Sequence, residues 1–255
     1  MKITAIALTV YKEAIRDKIV VILIFAFILI LAFFHIMGKV SINGDRLIQT
    51  AGLYCFGIFG ILCNIYLSIN FIQEINSKRF FLILVRPVSA FQFVSGKCLG
   101  MCILLLNIFF LMSVIWIVLL MSNNIKINPL YALTLMFIFA EWMIIAFASL
   151  FFSLFTTPLV QSLIVTAFYF VGHHSYDIYL YSQTKNIQAI MKNILTGIYY
   201  VIPDLELLNF RYSLIYNEII SFEQISHALL ITLAWLFVFF TASYIVFYMK
   251  RAIYA

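Results

Sequence analysis

The chain has 255 residues, of which 65% are hydrophobic and 10% charged, with a mean hydropathy of +1.09. Soluble domains carry about 25% charged residues, so this composition excludes an ordinary soluble enzyme or binding module and leaves a single polytopic membrane domain. The formal charge of +6 sits beside apolar runs, where it bears on membrane orientation rather than on nucleic acid.

Taken in chain order, the first element is "ITAIALTVYKEAIRDK". It mixes apolar and charged positions and predicts an in-plane amphipathic helix over residues 3–18, with Lys12, Glu13, Arg16 and Asp17 at helical spacings. Its charges extend to Lys18 and the apolar run beyond is too long for a cleaved signal core, so that run is expected to be a retained first span. Six spans are expected: about Ile19–Met37, Ala51–Ile72, Cys98–Met121, Leu130–Phe155, from Leu159 to at least Val171, and Ala228–Met249. Continuous apolar runs of this length point to helices, because lipid cannot satisfy open backbone groups, and they lack the alternation of a transmembrane barrel. The expected fold is therefore all-α, a polytopic membrane protein with six transmembrane helices.

The fifth span is the shortest. Thr157 and Pro158 mark its start as N-cap and first-turn residue, which makes a tight hairpin with the fourth span, and the helix is expected to run on through "HHSYDIYLY" toward Tyr181. With the N-terminus cytoplasmic, the inner segments carry ten basic residues, namely Lys2, Lys12, Arg16, Lys18, Lys78, Arg79, Arg86, Lys97, Lys250 and Arg251. The outer segments carry six, Lys39, Arg46, Lys126, Lys185, Lys192 and Arg211. That bias places both termini in the cytoplasm. In the long outer segment 172–227, Ile187, Met191, Ile194 and Ile198 recur at helical spacing and predict a surface-lying amphipathic helix ending near Pro203. Tyr176, Tyr179, Tyr181, Tyr199 and Tyr200 suit the headgroup zone. A second short helical piece is expected over "YNEIISFEQISHAL".

Between spans two and three, "QEINSKRFFLILVRP" predicts a short helix lying along the inner surface, with Glu74 and Lys78 four apart in the favourable order. Pro87 disfavours helical geometry at Arg86, and Ser89 with Gln92 has capping-box spacing for a new helix that carries Lys97 into span three. Helix, corner, helix makes a rigid elbow over residues 74–97, able to pass a push into two spans. An ordinary cytoplasmic loop is the other reading of the same residues.

This stretch resembles the signature region of ABC-2-type transporter permeases. The resemblance rests on Glu74, the basic pair Lys78 and Arg79, then Arg86-Pro87-Val88-Ser89, then Gly96-Lys97 at the start of the third span. Where members often carry Gly-Thr, this chain reads "KRFF". The N-terminal "YKEAIRDK" resembles the family's in-plane helix, with Glu13 at its acidic position. "YYVIPDLELLNFR" resembles the family's segment before the last span, through Pro203, Asp204 and Asn209. The flavour is that of permeases associated with the maturation of multicopper enzymes. The resemblance implies a dimeric permease, most simply an exporter, in the bacterial cytoplasmic (inner) membrane. It implies coupling through Glu74, Lys78, Arg79, Arg86, Pro87 and Lys97, and an in-plane helix carrying Lys12, Glu13 and Arg16. It implies that the chain itself holds no cofactor: ATP and Mg²⁺ belong to a separate ABC ATPase subunit, and the other partners are a second permease copy and membrane lipid. No Gly-rich loop ending in Gly-Lys-Ser/Thr is present, and "SGKCLG" lacks both the upstream loop and the hydroxyl. The alternative is a non-transporting scaffold or assembly factor that anchors an ATPase; a stand-alone carrier is third, as no inverted repeat is visible.

Glu141, in "FIFAEWMIIAF", is the acidic residue deep in a span, and a carboxylate there must face a cavity or a partner. Lining a pathway, pairing across a dimer and packing in the protonated form are all open to it. Asn64, Asn70 and Asn107 are candidates for interhelical hydrogen bonds. His173, His174 and Asp177 put His173 and Asp177 on one helical face, but this is read as an interfacial histidine pair rather than a metal site. Cys98 and Cys102, four apart beside Met101, are read as ordinary buried thiols; with Cys55 and Cys63 they make no disulfide framework. Intramembrane hydrolysis would need two aspartates or a Ser–His pair within spans: Asp17, Asp45, Asp177 and Asp204 all fall outside the mid-span positions, and the sequence does not pair a serine with a histidine.

Overall fold

The computed structural model describes residues 2–76, 88–184, 188–216 and 218–254, with side chains through 250. The coupling residues Lys78, Arg79, Arg86 and Pro87 lie outside the described residues, as do Lys185 and Ile187.

Helix α1, Lys2–Arg16, ends where Asp17 leaves helical geometry. Asp17 is the N-cap of α2, Lys18–Val40: its Oδ1 accepts from the Ile19 amide, and its Oδ2 accepts from the Tyr66 hydroxyl at 2.8 Å. One carboxylate therefore starts a helix and pins the α1–α2 corner to α3, Gly44–Asn76. The third long helix, α4, runs Ala90–Ser122 and begins at the expected capping box, Ser89 and Gln92 each bonding the other's backbone. It starts a full two turns before Cys98, so Gly96 and Lys97 lie on its body. Helix α5 is Pro129–Ser153.

Helix α6 is Pro158–His173, with Pro158 in the first turn as its fixed φ favours. Thr157 occupies the N-cap position but makes no side-chain cap bond. The α5–α6 hairpin is held instead by Gln161, fully buried, whose Nε2 donates to the Ser149 carbonyl at 2.8 Å and whose Oε1 accepts from Thr156 Oγ1 at 2.7 Å. The expected run-on to Tyr181 does not occur as one helix. The chain breaks at His174, whose backbone (φ −111°, ψ 12°) leaves the helix, and α7, Ser175–Ser182, follows as a separate piece. Tyr179 on α7 stacks on Tyr199 of α8, Ala189–Val201, at 4.7 Å. No residue of α8 is buried, and Ile190, Met191, Ile194, Tyr200 and Val201 are exposed. A short 3-10 turn, Leu205–Leu208, and a six-residue helix α9, Arg211–Tyr216, follow. The last helix, α10, runs unbroken over Phe222–Tyr254 from a capping box at Ser221 and Gln224. Of the short piece expected over "YNEIISFEQISHAL", the part from Phe222 onward forms the first turns of this helix, and residues 218–221 are not helical.

Among the described residues, five helices are long and apolar enough to cross a membrane: α2, α3, α4, α5 and α10. The apolar α6 has 16 residues. The result is an all-α, multi-pass bundle. Burial separates its layers. The most apolar windows of α3 and α5 are 72% and 67% buried, against 17% for both α2 and α10. So α3 and α5 form the centre, while α2 and α10 present Val21, Ile22, Phe25, Leu230, Leu233 and Phe237 outward as lipid-facing residues would be. In lipid there is little hydrophobic gain between helices, so close backbone approach and polar bonds carry specificity. Gly60 on α3 lets the N–H edge of the Trp142 indole of α5 approach the backbone and donate to the Phe56 carbonyl at 3.0 Å. Aromatic contacts then link layers, Phe27 to Phe56 at 5.4 Å, Phe56 to Trp116 at 5.8 Å and Phe109 to Trp142 at 5.1 Å.

Candidate functional site

Glu141 is fully buried near the middle of α5. Its carboxylate meets a ring of side chains drawn from three further segments. Arg211, at the start of α9, donates from Nη2 to Glu141 Oε2 at 2.9 Å and from Nη1 to Asn209 Oδ1 at 3.1 Å. Asn209 Nδ2 donates to Glu206 Oε1 at 2.8 Å. His173, the last residue of α6, joins the ends: Nδ1 lies 2.9 Å from Glu206 Oε2 and Nε2 lies 3.3 Å from Glu141 Oε1. Glu141, Arg211, Asn209, Glu206 and His173 therefore close on themselves.

Local structure explains how residues 204–211 reach so far into the bundle. Asp204 caps the 3-10 turn, its Oδ1 accepting from the Glu206 amide at 3.1 Å, and burial raises the pKa of its carboxyl above the ordinary value. Leu205 and Leu208 are fully buried and drive the turn into the bundle, where Phe210 meets Phe137 at 4.7 Å. Arg211 follows and is itself 2% exposed. Burial alone would depress its pKa, but the Glu141 carboxylate outweighs that and holds it above the ordinary guanidinium value. A charge at this depth persists only with such a partner. On α3, Gly57 makes room: a methyl group there would sit 2.4 Å from the Tyr169 hydroxyl.

A cavity of about 570 Å³ opens beside the ring, lined by Tyr54, Ile58, Tyr169, Phe170, Asp177 and members of the ring itself. The two adjacent histidines part company here. His173 turns inward to Glu141 and Glu206, whereas His174 pairs with Asp177 at 3.2 Å on the exposed side, so the expected common face of His173 and Asp177 is not formed. The helix break at His174 is the cause. Among the described residues, no group of three or more His, Cys, Asp and Glu is arranged to hold a metal.

A second polar cluster sits at the opposite end of the bundle. Lys97, 5% exposed, pairs with Glu74, joining α4 to the last turn of α3, and its ammonium lies 5.7 Å and 5.8 Å from the Phe71 and Phe93 ring centres. Glu74 meets Lys97 here, and Lys78, its expected neighbour, lies outside the described residues. Helix α1 packs along α4 in the same sense. A methyl group at Gly96 would meet Ile6 Cβ at 2.7 Å, and one at Gly100 would meet Val10 Cβ at 2.7 Å and the Ala7 carbonyl oxygen at 2.9 Å. Two glycines four apart thus form the groove that admits α1. Lys12, Glu13 and Arg16 lie on its exposed side, and Glu13 and Asn70 line a small cleft with Glu74 and Lys97. Asn64 is fully buried and donates to the Gly60 carbonyl at 2.9 Å and, across to α5, to the Trp142 carbonyl at 3.4 Å. Asn107 bonds within its own helix, to the Ile103 carbonyl.

Sequence reasoning did not find Arg211, Glu206 or Asn209 as partners of Glu141. The available signal was local. A lone mid-span acid requires a counter-charge, and Arg211 is a basic residue set in an apolar run, "LLNFRYSLIY".

The fold and its buried ionic ring define the class: a multi-spanning, largely hydrophobic helical membrane protein. No family model matches the chain, and no curated protein matches it.

Proposed function

We propose that the chain is the membrane-spanning permease subunit of an ATP-driven transporter of the ABC-2 type, most simply an exporter. In this reading it works with a separate ATPase subunit, which binds ATP and Mg²⁺, and with a second permease copy, in a bacterial inner membrane. Helix α6 counts as a sixth crossing. At 1.5 Å per residue its 16 residues cover about 24 Å, most of a hydrocarbon layer of about 30 Å. Six crossings return both termini to one side, and the excess of basic residues assigns that side to the cytoplasm.

The observation that carries the reading is the arrangement of α1, α3 and α4 at the cytoplasmic end. The segment 77–87 leaves α3 and enters α4, and the two helices are bound to each other beside it by Glu74 and Lys97. Helix α1 is seated in the Gly96–Gly100 groove of the same α4, and Asp17 ties the α1–α2 corner to α3 through Tyr66. A force applied to 77–87 by a docked ATPase would reach three helices at once, and a partner's binding matters to the extent that it favours one arrangement of them.

The test is reconstitution. The chain is co-expressed with a candidate ATPase, the complex purified and placed in liposomes, and ATP turnover followed with and without cargo. Retained association, loss of coupling in Arg86→Ala or Glu74→Ala, and cargo-stimulated turnover are expected. Failure of any ATPase to stay bound overturns the reading; binding without cargo stimulation replaces it with an ATPase-anchoring scaffold.

A further inference from the structure

We infer that the Glu141–Arg211–Asn209–Glu206–His173 ring is a proton-binding site reached from the face that carries residues 203–211, and that the bound proton latches this segment into the bundle. The inference does not depend on transport, because it follows from counting donors.

All four carboxylate oxygens in the ring face a nitrogen. Glu141 Oε2 faces Arg211 Nη2 and Glu206 Oε1 faces Asn209 Nδ2. The other two, Glu141 Oε1 and Glu206 Oε2, face the two nitrogens of one imidazole. A neutral imidazole has a single N–H. With both carboxylates ionised, its second nitrogen would aim a lone pair at an anionic oxygen. The ring closes with every link attractive when His173 holds a proton on both nitrogens. Two carboxylates, one guanidinium and one imidazolium then sum to zero, the state a low-dielectric interior favours. Exposure supplies the route: the side chains of Glu206, His173 and Glu141 are 51%, 11% and 0% exposed, an inward sequence from water to core. The ionisable groups facing the ring from its neighbours are Tyr54 on α3, under Arg211 at 5.9 Å, Tyr169 on α6, whose ring lies 4.6 Å from His173, the His174–Asp177 pair at the start of α7 on the same cavity, and Asp204, two residues before Glu206.

The direction follows. The closed ring holds a proton that the opened segment releases, so closure weakens as pH rises. The experiment is hydrogen–deuterium exchange on the purified full-length chain in nanodiscs, at about pH 6.5 and about pH 10, either side of the range expected for an imidazolium held between two carboxylates. Rates are corrected for intrinsic base catalysis and referenced to α3. In the wild type, protection of residues 203–216 is expected to fall roughly tenfold or more at the higher pH. Glu206→Gln is the discriminating variant. Its amide can donate to Nδ1 of a neutral imidazole while its oxygen still accepts from Asn209, so the ring closes without the extra proton and protection is expected to stay high at both values. His173→Gln is expected to give low protection at both. Wild-type protection that does not change with pH, or a Glu206→Gln profile that follows the wild type, overturns the inference; these two samples decide it even where His173→Gln does not fold.

Discussion

Arg211 and Glu141 meet at 2.9 Å across 70 residues of sequence, both out of contact with solvent. Breaking a buried pair by removing one partner leaves an uncompensated charge and costs about 3–5 kcal/mol, whereas replacing both by apolar groups of similar size is close to neutral. Arg211→Met is therefore expected to lower thermal stability in detergent strongly, and Glu141→Gln less, because its amide still bonds. The double variant is expected to recover much of the loss. Unfolding followed by tryptophan fluorescence measures all three, and additive losses would argue against the pair as the unit.

Gly60 and Trp142 provide a packing test. A methyl group at Gly60 would lie 2.2 Å from the indole nitrogen and 2.6 Å from two ring carbons. Trp142 has no exposed side to retreat to. Gly60→Ala is expected to displace the ring, break its bond to the Phe56 carbonyl and cost about 1–3 kcal/mol. A lower unfolding temperature with altered tryptophan emission is the expected signature.

Docking of α1 depends on Gly100 and Lys97 in different ways. Gly100→Leu fills the groove against the Ala7 backbone and is expected to release α1, read as faster proteolysis near Asp17. Lys97→Met keeps the stem between Phe71 and Phe93 but removes the ammonium from Glu74, whose side chain is 22% exposed and can turn to water. Its loss is expected to be smaller, because the remaining carboxylate is not stranded in the core. Equal proteolysis of the two variants would place α1 docking in the ion pair instead of the groove.

Asp204 gives a pH-dependent outcome. Its folded pKa lies above the unfolded value because burial penalises the carboxylate. The folded chain thus binds more protons at this residue, and the resulting cost is absent below the unfolded pKa and fully present above the folded one. Asp204→Asn keeps an oxygen to accept from the Glu206 amide and removes that cost. It is expected to be more stable than wild type near neutrality, the advantage shrinking as pH falls toward 4; Asp204→Ala, which loses the cap, is expected to be less stable.

Much of the helical body was legible in the residues. Ser89 with Gln92 announced the start of α4, and Pro158 that of α6. The exposed α8 follows the helical spacing of Met191, Ile194 and Ile198. Other features were not legible. Thr157 was expected to cap α6, but it makes no cap bond, and Gln161 holds the α5–α6 hairpin, because a side chain one turn later reaches the Ser149 carbonyl of the preceding helix. The helix break at His174 carries no proline or glycine at the break itself. It is seen only once α7 is packed against α8 through Tyr179 and Tyr199.

By itself the sequence determined an all-α membrane body and the starts of α4 and α6. Hydropathy and capping are local, and a backbone surrounded by lipid has to satisfy its hydrogen bonds within each segment. What answers Glu141 was decided by tertiary structure alone. A buried charge is neutralised by whatever group the fold carries to it, and here that is a guanidinium brought inward by Leu205 and Leu208 from a segment whose own composition reads as an outer loop.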